Sequence, residues 1–226
     1  SNDTYLKSNK IESELINDND LLENSINLDL YSNNLSINFG TAVYENLNKA
    51  NNDRYEYVIP KFLLTKNFDN FSYLNGNLSF ETDNLIRQYD TNILEKRNVN
   101  NLIFNSDSKI NELGVLNSYE FLIRNTNSEN KNTNYKNNKN FYVSGIFQHN
   151  STLPLVKEND IYQKILKPRI SVRAAPTHTK DEKNVERKVD LTNIYSLDRV
   201  SDSTSIEGGL SLTYGIDYTI LQKLKT

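Results

Sequence analysis

Residues able to do chemistry are few in this 226-residue chain, which holds 2 histidines and no cysteine. His149 and His178 fall in or beside polar segments with no H-E-x-x-H spacing around them, so both read as solvated loop residues rather than ligands or bases. The run NDND, Asn17 to Asp20, offers ligand oxygens but lacks the glycine and terminal glutamate of a calcium loop, and reads as a turn. Five N-x-S/T triplets, beginning at Asn2, Asn34, Asn70, Asn77 and Asn150, are as many as chance provides in a chain with 37 asparagines. The charged cluster Lys180 to Arg187 reads as a solvated loop. No glycine-rich phosphate loop, G-x-S-x-G elbow or separated carboxylate pair stands out. The expectation is a protein that is not an enzyme, with no catalytic, metal-binding or cofactor-binding residue to nominate, no cofactor, and substrate-binding residues unassigned.

Attention therefore moves to the elements. The stretch TSIEGGLSLTYGIDYTI, Thr204 to Ile220, alternates Ile206, Gly208, Leu210, Leu212, Tyr214, Ile216, Tyr218 and Ile220 with small or polar residues. Alternation at 180° per residue marks a strand with one apolar and one polar face. Soluble strands average about 5–6 residues and a tilted transmembrane strand needs roughly 9–11 to cross the hydrocarbon, so this ribbon exceeds both.

Similar segments recur. SINLDL and LSINFGTAVY flank a YSNN turn, RYEYVIPKFLL holds Pro60 and so marks an edge, a bulge or a strand end, and Leu78, Phe80 and Thr82 alternate after Asn75-Gly76. Val115, Asn117, Tyr119, Phe121 and Ile123 oppose Leu116, Ser118, Glu120, Leu122 and Arg124. FYVSGIFQH alternates Phe141, Val143, Gly145 and Phe147, and ILKPRISVRAAP alternates Leu166, Pro168, Ile170, Val172 and Ala174 with Lys167, Arg169, Ser171 and Arg173. The window Asp83 to Arg97 is ambiguous and reads as strand-loop-strand. The Lys/Asn tracts at 125–140 and 176–188 read as long polar loops.

Composition narrows the class. The hydrophobic fraction of 36% and mean hydropathy of -0.68 are low for a dry core, while 14 Tyr, 9 Phe and the recurring alternation oppose disorder. No apolar run exceeds three residues, which leaves a barrel as the only way for this chain to span a membrane. A net charge of -3 gives no footprint for nucleic acid. An opening without Met or signal peptide suggests a piece of a longer protein. The expectation is all-β: an antiparallel up-and-down meander of about ten to twelve strands, spanning 1–226 as a single partial outer-membrane barrel domain.

The C-terminal third resembles a known family. ILKPRISVRAAP, a charged spacer and DLTNIYSLDRVSDSTSIEGGLSLTYGIDY are similar to the barrel of the lipopolysaccharide-assembly outer-membrane protein family (LptD, organic-solvent-tolerance protein). The positions that carry the likeness are Pro168, Asn193, Ile194, Tyr195, Asp198, Arg199, Glu207, Gly208, Gly215 and Asp217-Tyr218. RYEYVIPKFLL and LNSYEFLIRNTNSENKNTNYK resemble its upstream strands and Asn/Lys region, so the likeness runs over 54–220. The family's periplasmic jelly-roll, paired cysteines and barrel-closing strands have no counterpart here.

The resemblance implies a translocon in the Gram-negative outer membrane that inserts lipopolysaccharide into the outer leaflet. Its partners would be lipopolysaccharide, an LptE-like lipoprotein plug, an LptA-like periplasmic bridge and the lipid bilayer, with no nucleic acid. Ile206, Leu210, Leu212, Ile216 and Ile220 would then face lipid, Tyr214 and Tyr218 an aromatic girdle, and Glu207, Ser211, Thr213 and Asp217 the lumen. Two alternatives stand beside it: another porin or transporter barrel, and a secreted soluble β-sandwich binding module, whose apolar faces would meet in a dry core.

Overall fold

The computed structural model describes residues 21–50, 53–68, 75–133, 139–176, 189–199 and 206–223. Asn17 to Asp20, His178 and the Lys180 to Arg187 cluster lie outside them, as does nearly all of the 176–188 stretch. Eleven strands run in chain order: β1 Leu21–Ser32, β2 Leu35–Asn46, β3 Tyr55–Phe68, β4 Gly76–Tyr89, β5 Ile93–Ser106, β6 Lys109–Ile110, β7 Leu116–Lys131, β8 Lys139–Thr152, β9 Leu155–Glu158, β10 Tyr162–Ala175 and β11 Gly209–Gln222. All belong to one antiparallel up-and-down sheet, ordered β1-β2-β3-β4-β5-β7-β8-β10-β11, with β6 paired to β7 and β9 to β10. Among the described residues the sheet is not closed, and no second sheet packs against it. The fold class is therefore all-β, within the expected strand count.

Local chemistry explains the breaks between strands. Asn33 and Asn34 form the tight turn that leaves Ser32 opposite Leu35. The ambiguous window is indeed strand-turn-strand, with Asp90, Thr91 and Asn92 all at positive φ. Pro60 sits within β3 at a register shift: Gly40 pairs with Lys61 and Ala42 with Val58, which leaves Thr41 against the two residues Ile59 and Pro60. A proline cannot donate to a ladder, and a bulge is one place where none is needed.

Both ends of one expected loop are strand instead. Asn and Lys content predicts a loop over 125–140, yet among the described residues β7 continues through Lys131 and β8 begins at Lys139. The asparagines bond to one another: Asn127 donates to Asn98 (2.9 Å) and to Asn125 (2.7 Å), Asn100 donates to Asn98 (2.7 Å), and Asn98 donates to Asn84. This carboxamide ladder satisfies across strands what a loop would satisfy with water.

The chain divides into two compact units, 1–67 with 80–101 and 125–142, and 68–79 with 102–124 and 143–226. The first contains β1 to β3 and the Asn ladder. The second contains β9 to β11, parts of β4, β5, β7 and β8, and the described parts of the β10–β11 connection. Within it Phe104, fully buried, stacks on Phe121 at 5.2 Å and Tyr119 at 5.6 Å. Gly76 lies beneath the Phe104 ring, and a Cβ there would meet the ring at 2.7 Å.

Candidate functional site

Across β10 and β11 the two faces of the sheet have opposite chemistry and inverted burial. Fourteen consecutive pairs join β10 to β11, from Tyr162↔Gln222 to Ala175↔Gly209. On one face Leu210, Leu212, Tyr214, Ile216, Tyr218 and Ile220 are 80, 66, 80, 68, 56 and 52% exposed, and their neighbours Ile170 and Val172 are 51 and 41% exposed. On the other, Ser171, Arg173 and Thr213 are only 3, 2 and 9% exposed. A water-soluble sheet buries its apolar face; here the polar face is the covered one.

What covers it, among the described residues, is 189–199 and 206–208 of the chain between β10 and β11. Its turn at 190–196 is held locally: the Asp190 carboxylate accepts from the Thr192 amide (2.8 Å) and hydroxyl (2.6 Å), while Asn193 Oδ1 accepts from the Asp190 amide (2.9 Å). The Thr192 hydroxyl bond, followed by its amide, holds the Asp190 carboxyl below its ordinary range. Asp, Thr and Asn close such turns because their short side chains reach nearby backbone amides.

Arginines and a glutamine then clamp the segment to the sheet. Gln148 of β8, 1% exposed, donates to the Tyr195 carbonyl at 2.8 Å. Arg173 of β10 donates to the carbonyls of Leu197 and Glu207, each at 2.8 Å. Arg124 of β7 pairs with Asp198 at 3.0 Å. Arg199 forms a two-pronged pair with Glu207 at 2.9 and 2.8 Å and donates to Ser211 at 3.1 Å. Arg169 lies over the Tyr195 ring, 4.0 Å from its centroid, and pairs with Asp217 at 2.9 Å. The Tyr195 hydroxyl occupies the space above Gly215, where a Cβ would collide with it. Beneath, Ile206 is fully buried with Leu122, Ile146 and Ala175, and Ile103 and Leu197 pack against them.

The structure thus joins most of the positions that carried the family resemblance. Asn193, Tyr195, Asp198, Arg199, Glu207, Gly215 and Asp217 all take part in the clamp or its turn, whereas Pro168 pairs with Ile216 and Tyr218 stands on the exposed face. One face assignment needs correction. Ile206 does not share the exposed face of β11, because the strand begins only at Gly209, whose φ of +105° breaks the alternation. Thr213 is on the polar face as expected, and there it lies buried beneath the segment. His149 is no loop residue: it lies in β8, half-buried, opposite Val172, with a ring nitrogen 3.2 Å from the Ser151 hydroxyl.

Sequence reasoning missed Arg124, Gln148 and Arg173 as clamp residues. The available signal was two arginines on the polar register of apolar strands, since a buried guanidinium requires acceptors. Among the described residues no three His, Asp or Glu side chains converge as a metal site would require. The chain matches no protein-family model, and no curated protein shows significant similarity to it.

Proposed function

We propose that this chain is part of an outer-membrane β-barrel whose protein assembles lipopolysaccharide at the cell surface of a Gram-negative bacterium. The observation that carries the barrel reading is the inverted burial of β10 and β11. Leu210, Leu212, Ile216 and Ile220 stand exposed in one row, and at about 1.5–3 kcal/mol per fully buried aliphatic side chain the row forfeits on the order of 5 kcal/mol in water. That is comparable with the whole stability of a small domain. Lipid on that face removes the penalty. A 14-residue strand of about 46 Å is also long enough to cross a hydrocarbon core of roughly 30 Å at a tilt and project beyond it.

Support for lipopolysaccharide as the substrate comes from the resemblance and from the way its positions connect into one clamp. In this reading the lumen carries the sugar portion and acyl chains leave sideways into the leaflet. The parent protein moves its substrate without altering it, driven through an LptA-like periplasmic bridge and accompanied by an LptE-like lipoprotein. Depleting it is expected to leave lipopolysaccharide chemically intact but missing from the cell surface. Normal surface lipopolysaccharide with failed uptake of a small solute would instead identify a porin or nutrient transporter.

A further inference from the structure

The first unit carries a groove of about 750 Å³ with two unlike walls. One is apolar: Phe39 and Phe62, paired across β2 and β3, with Pro60 and Ile86 beside them. The other carries the Asn84–Asn98–Asn127 ladder, Lys96, Glu129 and Lys139, and ends at Phe141, which is 75% exposed. Charge on this wall is unbalanced. Among the lining residues the Glu129 carboxylate, 3.4 Å from the Lys96 ammonium, is set against two lysines, since Lys139 also adds its positive charge to the surroundings; Lys131, 4.0 Å from that carboxylate, stands outside the lining. Arg97, also on the groove, is paired with Asp83 at 3.0 Å and does not offset the surplus.

An apolar wall facing a cationic, carboxamide-rich one matches a molecule with the same division. We propose that this groove binds an anionic lipid through its phosphorylated headgroup, with the phosphate on Lys96 and Lys139, headgroup hydroxyls on Asn98 and Asn127, and acyl chains along Phe39, Phe62 and Phe141. Neutral apolar ligands would leave the surplus ammonium groups unanswered, and a free anion would leave the aromatic wall in water. The inference goes beyond the transport reading and does not depend on it, since it requires only the groove.

The test uses the folded chain in a non-ionic detergent and measures calorimetric binding of dihexanoyl phosphatidic acid, dihexanoyl phosphatidylcholine and glycerol 3-phosphate. Saturable binding of the phosphatidic acid is expected, with the other two about tenfold weaker or worse. The double variant K96Q/K139Q should weaken phosphatidic acid binding about fivefold to tenfold, and raising the salt should do likewise. Glu129→Gln removes the competing carboxylate and should tighten binding, a gain that misfolding cannot imitate. Equal binding of glycerol 3-phosphate would assign the site to free phosphate, and equal binding of phosphatidylcholine would make it merely apolar. Either result, or a Glu129→Gln variant that binds no more tightly, overturns the proposal.

Discussion

At the scale of single residues, the clamp depends on guanidinium geometry. Arg199 satisfies two oxygens of Glu207 and the Ser211 hydroxyl at once, a fork that lysine cannot reproduce. Its side chain is 7% exposed while that of Glu207 is 30% exposed, so removing it leaves a carboxylate that water only partly reaches. Arg199→Ala is expected to destabilise the chain by about 2 kcal/mol, below the range for fully buried pairs, and Arg199→Lys should recover less than half. Urea unfolding in detergent micelles measures both. Gly215 supplies a second test, because its missing side chain is the seat of the Tyr195 hydroxyl. Gly215→Val should cost about 1–3 kcal/mol by overpacking, and Tyr195→Ala in the same chain should remove much of that penalty. Additive losses would mean that the two residues do not meet as described.

At the scale of elements, alternation in the sequence identified the faces of β7, β8, β10 and β11, because an extended chain fixes the side of each residue by parity alone. It failed where the chain is not extended. Two glycines precede Leu210, and with Gly209 at φ +105° the parity of Ile206 carries no information about its side. Composition failed in a different way at β7: asparagine is typical of loops, but cross-strand partners override that preference when each carboxamide finds another. The clamp itself was only partly legible, since its sheet-side arginines become partners of Tyr195, Leu197, Asp198 and Glu207 only after the connection folds back. The buried state of Thr213 decides which control is informative for the exposed face. Leu212→Arg in the full-length protein should impair membrane assembly, by about 2–4 kcal/mol near the bilayer midplane. The matched change at Thr213 would force a guanidinium beneath the clamp, so the informative neighbour is Thr213→Ala, which should assemble normally in a heat-modifiability assay.

For the whole molecule, the central claim is that the exposed apolar row of β11 meets lipid. The sequence contains no tryptophan, so a single introduced one reports its own surroundings without background. Full-length protein whose other tryptophans, if any, are replaced by phenylalanine would carry one at Leu212, Ile216 or Ser211 and be reconstituted into bilayers containing brominated acyl chains. Bromine quenches only by near contact. Strong quenching is predicted at 212 and 216 and little at 211, because the first two stand 66 and 68% exposed on the apolar face and Ser211 lies on the opposite face, bonded to Arg199. Equal quenching at all three positions, or none at 212 and 216 in protein that has inserted, would contradict the account.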